Sequence, residues 1–126
     1  MSKERQLSNF LHDILESIAE IKEFTQGITY EEFVRDKKTQ KAVIRNLEII
    51  GEAANKIPPQ IQKNYSQIPW AEIISMRNKL IHEYFGVDLV IVWQTLEEDM
   101  IFLEKIIKKM DKDFYVGQSI TTKPNI

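Results

Sequence analysis

Residues 71–84 read AEIISMRNKLIHEY, and the behaviour of that stretch on a helix decides the fold. At about 100° per residue, Ile73, Ile74, Met76, Leu80 and Ile81 gather into one apolar arc. Glu72, Ser75, Lys79 and Glu83 fall on the opposite, solvated side. Arg77 and Tyr84, seven residues apart, nearly eclipse each other in the middle of the apolar arc, and Asn78 and His82, four apart, share one flank of it. A guanidinium left dry and unpaired is strongly destabilising. Arg77 must therefore meet an internal carboxylate, a water-filled cleft or an anionic ligand. In the first case Glu48 or Glu52 serves, since RNLEIIGEAANK (45–56) puts Arg45, Glu48 and Glu52 on one helical face. Tyr84 is then a core aromatic with its hydroxyl at the rim, and His82 a helix C-terminal residue favoured by the dipole. Spacing alone does not choose among these.

The helical period extends in both directions. Upstream, Leu7, Phe10, Leu11, Ile14, Leu15, Ile18, Ile21 and Phe24 repeat at i, i+3, i+4, one face of a first long helix that Gly27 stops. Thr29 followed by Glu32 is a capping-box pattern for a short helix. A second long helix spans roughly 38–56, with Ala42, Val43, Leu47, Ile50, Ala54 and Ile57 inward, and ends at Pro58-Pro59. After a short turn or helical scrap, Pro69-Trp70 opens the helix of the motif, which Gly86 closes. Asp88 then caps a last helix carrying Leu89, Val92, Trp93, Leu96, Met100, Leu103, Ile106, Ile107 and Met110. The period stops at Asp111, so 111–126 is expected to be a loose tail or arm. No stretch alternates with period two. These segments predict an all-α, up-and-down bundle of four main helices plus a short extra one.

The 126 residues suffice for one domain. With 43% hydrophobic and 29% charged residues, the composition is that of a globular chain rather than a disordered one. There are no cysteines, which excludes disulfides and thiolate zinc sites. No signal peptide is evident at MSKERQLSNF, and no apolar run approaches the ~20 residues that span a bilayer. No membrane association and a cytoplasmic location are the expectation. A net charge of −2 and a pI near 5.7 argue against broad electrostatic binding of nucleic acid, although not against a local pocket that handles RNA.

The stretch RNKLIHEY (77–84) fits an Arg-x4-His-x-Tyr pattern and, with AVIRNLEIIGEAANKIP (42–58), IPWAEIISMRNKLIHEYFGVD (68–88) and Val92-Trp93, resembles the HepT-like toxin branch of the HEPN superfamily. The resemblance covers most of residues 42–110 and is specific, because the motif stands in the expected place on the third long helix. It implies a HEPN-type helical-bundle domain over 1–110. It further implies the toxin of a type VII-like toxin–antitoxin module, acting as a homodimer and as a metal-independent endoribonuclease without a cofactor. Arg77 and His82 of both protomers would line a shared cleft, and Tyr84 would be AMPylated by a minimal nucleotidyltransferase antitoxin. The alternative is a non-catalytic HEPN-fold binding subunit of that nucleotidyltransferase.

The residue types suit the implied chemistry. RNA cleavage by the adjacent 2′-OH needs a base near neutrality, the range of histidine. A guanidinium fork can hold two oxygens of the phosphorane, and Asn78 is placed to support either group. On a straight helix positions 77 and 82 diverge by about 140°, awkward for one monomeric site and relieved at a two-fold axis. Elsewhere, His12 reads as a solvated or rim residue, and two histidines without zinc-type spacing predict no metal site. Trp70 and Trp93 read as core or interface anchors. EKIIKKMDKD (104–113) reads as a solvated helix end, with an RNA-guiding patch the lesser alternative.

Overall fold

A computed structural model describes the backbone of residues 3–82 and 88–122 and the side chains of 5–76, 78–80 and 88–114. Among these residues all regular structure is helical. The helices are α1 (Lys3–Thr25), α2 (Tyr30–Arg35), α3 (Lys37–Lys56), α4 (Pro59–Asn64), α5 (Trp70–His82), α6 (Leu89–Gln94) and α7 (Met100–Thr122), with a π-helical segment, Thr95–Asp99, joining the last two. Four long arms, α1, α3, α5 and α6–α7, form the expected all-α bundle, and α2 and α4 are short connectors.

Local chemistry sets the boundaries, at Gly27, Thr29 and Asp88 as the sequence predicts and at Asp36 by a cap the sequence reading does not single out. Gly27 takes φ +76° after α1, the left-handed position that glycine fills without penalty. Thr29 caps α2: its Oγ1 accepts from Glu32 N at 3.2 Å, while Thr29 N donates to Glu32 Oε1 at 3.3 Å. Asp36 caps α3 by accepting from Thr39 N at 3.0 Å and Thr39 Oγ1 at 2.6 Å. These bonds hold its carboxyl below the usual range, the hydroxyl bond contributing most. Asp88 caps α6, accepting from Val90 N at 2.9 Å. Pro59 begins α4 at a position where a missing N–H costs nothing.

The core follows the apolar periods. Leu7, Leu11, Ile14, Ile18 and Ile21 of α1 are buried, as are Val43, Ile44, Leu47, Ile50 and Ala54 of α3 and Leu103, Ile106, Ile107 and Met110 of α7. Each such Leu or Ile contributes roughly 1.5–3 kcal/mol relative to exposure. Phe24, at the end of the α1 stripe, lies instead at the surface. α3 packs against both α1 and α5, and α1 also packs against α7. Among the described residues the long helices thus pack along three seams, and a groove lies between α5 and α7.

Two features differ from the apolar period. The last arm is not one continuous α-helix. Thr95 Oγ1 donates to Ile91 O at 2.9 Å, and Met100 N–H reaches back five residues to Thr95 O. A hydroxyl that shares a carbonyl with the backbone ladder loosens the local turn. The second feature is that α7 outlasts its apolar stripe, remaining helical to Thr122. Phe114 packs against the core, and Tyr65 Oη donates to Asp113 Oδ2 at 2.7 Å, so the start of this extension is tied to the end of α4.

Candidate functional site

The motif helix is fixed at its N-terminal end by a small knot of hydrogen bonds. Trp70, the first residue of α5, is 9% exposed, and its Nε1 donates to Gln62 O and Tyr65 O, both at 3.1 Å. Gln62 in turn donates through Nε2 to Ala54 O at 3.2 Å and Ile57 O at 3.0 Å, covering carbonyls at the C-terminal end of α3. Trp70 N donates to Ile68 O at 2.9 Å, and Ile73 N to Pro69 O at 3.1 Å. Ile68 and Leu80 are buried, the latter two residues before the end of the helix. α5 is therefore held against α3 at both ends, which fixes the path of the backbone through residues 77–82.

Positions 77 and 82 lie in the C-terminal half of this helix. Position 77 comes seven residues after Trp70 and so falls on the same side of α5 as that buried anchor. The side chains of Arg77 and His82, the predicted cleft residues, lie outside the described residues. So do Tyr84, the predicted modification site, and Gly86, the predicted helix stop. Asn78 is described and exposed, open to solvent one turn before position 82.

The carboxylates considered as partners for Arg77 separate. Glu48 accepts from Arg45 Nη1 at 3.2 Å on its own helix, as the spacing predicts for the face shared by 45, 48 and 52. Glu52 is half-buried on α3. The other candidates behave as structural residues. Trp70 is a core anchor. Trp93 is half-buried, with its ring centroid 5.1 Å from Phe33 and 6.1 Å from Tyr30, in an aromatic cluster that clamps α2 onto α6. His12 is solvated, its side chain 61% exposed and its Nε2 3.5 Å from Asp111 Oδ2. Lys105, Lys108, Lys109 and Lys112 are exposed along α7, the solvated face expected of that run.

Sequence reasoning missed the groove. Between α5 and α7 lies a groove of about 500 Å³, floored by Leu47, Ile50, Ile73, Met76 and Leu103. Glu72, Glu98 and Asp99 stand on its rim. It reaches Met76, next to the first motif residue. Apolar positions on separate helices carry no sequence mark of a gap between them, so no local pattern reports it. Its carboxylates repel phosphate, which makes the groove itself unsuited to an RNA backbone. No helix among the described residues is long and apolar enough to cross a membrane.

A small α-helical bundle in which a helix anchored against its neighbour carries positions 77 and 82 of an Arg-x4-His-x-Tyr sequence motif is the class that fold and sequence define together. Comparison with known proteins makes this particular. The family model for HepT-like ribonucleases ("Ribonuclease HepT-like") matches residues 14–110. The chain is 49% identical over 108 residues to the "Probable ribonuclease HepT" of Thermococcus cleftensis, across 86% of this chain and 98% of that protein. Two proteins of Methanocaldococcus jannaschii named as RNases are 46% identical over 109 residues and 45% identical over 106 residues, covering 90% and 88% of their own lengths and 86% and 81% of this chain. The chain belongs to the HepT-like ribonuclease family. No solved structure matches it significantly.

Proposed function

We propose that this protein is a metal-independent endoribonuclease and the toxin of a toxin–antitoxin module of type VII kind. The observation that carries the reading is the family match over residues 14–110, within which RNKLIHEY (77–84) keeps every motif position. In this reading two copies pair so that His82 of one works beside Arg77 of the other. His82 accepts the proton of the 2′-OH as that oxygen attacks the adjacent phosphorus, and the bond to the 5′-oxygen breaks, leaving a 2′,3′-cyclic phosphate and a 5′-hydroxyl that takes up a proton. The Arg77 guanidinium stabilises the extra negative charge of the phosphorane, and Asn78 orients the phosphate or the imidazole. A minimal nucleotidyltransferase antitoxin silences the site by moving AMP from ATP to the Tyr84 hydroxyl, releasing pyrophosphate. The adduct places a bulky phosphate next to Arg77 and blocks RNA by volume and charge. The module operates in the cytoplasm.

Two observations favour a second reading, in which the chain is a non-catalytic binding subunit of that nucleotidyltransferase. The pI is near 5.7, and the groove beside the motif is rimmed by Glu72, Glu98 and Asp99 rather than by cations. The deciding experiment is RNA cleavage by the purified protein in EDTA, beside His82→Ala, with intact masses recorded. Cleavage in EDTA that falls by roughly 10²–10⁴ in the variant supports the nuclease. Absence of cleavage at an unmodified mass supports the binding subunit, and absence with one added adenylate identifies the neutralised toxin.

A further inference from the structure

The groove between α5 and α7 has a floor and two walls of different origin. Leu47 and Ile50 of α3 form the floor, Ile73 and Met76 of α5 one wall, and Phe102 and Leu103 of α7 the other. The apolar surface continues past the second wall, since Phe102 is 43% exposed and its neighbour Ile101 64%. Single apolar side chains on a surface need no explanation, but a groove that runs into an exposed pair forms a contiguous patch, the mark of an interaction site. Met76 and Met100 both line it, and methionine adapts its shape to a docked apolar group better than a branched side chain does.

The π-helical segment builds part of this groove. Thr95, Glu98 and Asp99, three of its five residues, line it. A π turn is rare and recurs at functional positions, and here it carries two carboxylates on the rim across from Glu72 of α5. All three carboxylates are exposed, and none forms an ion pair among the described residues. No lysine or arginine among those residues lines the groove. The rim is therefore acidic on both sides of an apolar floor.

Three classes of occupant fail on this chemistry. Carboxylates on both sides repel a phosphate backbone. An extended peptide needs a free sheet edge to pair with, whereas helical walls satisfy their backbone donors and acceptors internally. A small polar cation leaves the apolar floor uncovered. What remains is a helix laid over α3 between α5 and α7, its apolar side chains at i, i+3, i+4 and i+7 facing the floor and lysines or arginines on its flanks.

We propose that the groove between α5 and α7 docks a basic amphipathic helix of a partner protein. Docking there needs neither Arg77 nor His82 and is independent of RNA cleavage.

The test is nuclear magnetic resonance of the full chain with isotope-labelled methionine methyl groups, titrated with an amidated peptide of about 14 leucines and lysines whose leucines share one helical face. Met76 and Met100 report the groove, and the fully buried Met110, which does not line it, is the reference. The Met76 and Met100 signals shift with a Kd of roughly 1–100 μM, while Met110 stays in place. A peptide of the same composition without a helical apolar face, and one with glutamate in place of lysine, bind at least about tenfold more weakly. Glu72→Lys and Glu98→Lys, one on each wall, each weaken binding about three- to tenfold, and Phe102→Ala does so to a similar degree. Glu16→Lys makes the same change of charge on α1, outside the groove, and leaves the affinity within about twofold of wild type. Circular dichroism verifies that each variant folds. No shift at Met76 and Met100 by about 1 mM peptide overturns the proposal. So does equal binding of the leucine–glutamate peptide, or an equal loss in Glu16→Lys, which would reduce the effect to net charge. Methyl shifts that follow protein concentration without peptide overturn it as well, because a second copy of the chain then fills the groove.

Discussion

Replacing Trp70 by phenylalanine tests whether the knot at the start of α5 holds the motif helix in place. Two terms set the cost. The indole N–H is a single donor shared between Gln62 O and Tyr65 O, so one hydrogen bond is lost rather than two. Neither carbonyl is orphaned, because Tyr65 N also donates to Gln62 O at 3.1 Å and Ile68 N to Tyr65 O at 3.1 Å. The polar term therefore stays near the ordinary net value of about 0.5–1.5 kcal/mol, without the larger penalty of a stranded acceptor. The second term is packing. The residue is 9% exposed, and the smaller ring removes about a third of the side chain, which scales from the ~3–5 kcal/mol of a full truncation to roughly 1–1.5 kcal/mol. The sum is about 1.5–3 kcal/mol, a fall in Tm of roughly 5–15 °C for a domain of this size. Urea unfolding followed by circular dichroism reads the value, with Trp93, the other tryptophan, reporting independently by fluorescence. A loss below about 1 kcal/mol would show that the indole neither bonds nor packs as described. A loss above about 4 kcal/mol would show that the two carbonyls depend on it alone.

Three further outcomes follow from the connectors. Gly27→Ala costs roughly 1–2 kcal/mol from its left-handed φ of +76°, with no steric term because nothing lies within 4 Å of the added carbon; Gly27→Asn recovers part of the loss in the same unfolding assay. Thr29→Ala removes the cap of α2 and costs about 1 kcal/mol, with little change in far-ultraviolet ellipticity since α2 has only six residues. Burial first, then the bond to Asp113, pushes the Tyr65 phenol up to about 12 from 10.0. The raised value favours the protonated form in the folded state, so its contribution is complete below about pH 10 and is lost as pH rises from 10 to 12. Tyr65→Phe should flatten the fall of stability over that window, and an unchanged slope would refute the assignment.

What was legible in the sequence was whatever is written locally. Caps at Thr29 and Asp88, the stop at Gly27 and the break at Pro58-Pro59 are each decided by residues within a turn of one another, so a linear reading finds them. The core faces of α1, α3 and α7 are also legible, because burial repeats at the helical period. The π segment is not, since Thr95 sits in an unbroken apolar period and its hydroxyl acts on a carbonyl one turn back without altering that pattern. Nor is the helix beyond Asp111, whose start is held by Phe114 and by Asp113 reaching Tyr65 across a sequence separation that no periodicity records. The groove is the furthest from local reading. Ile73 and Met76 look like ordinary core positions on α5, and Leu103 looks the same on α7; only the packing of α5 and α7 on opposite sides of α3 and α1 leaves space between them. That distinction bears on function. RNKLIHEY is recognisable because its candidate residues fall within eight consecutive positions of the sequence. The groove between α5 and α7 is assembled from elements that the chain brings together only after folding, so no stretch of the linear sequence records it.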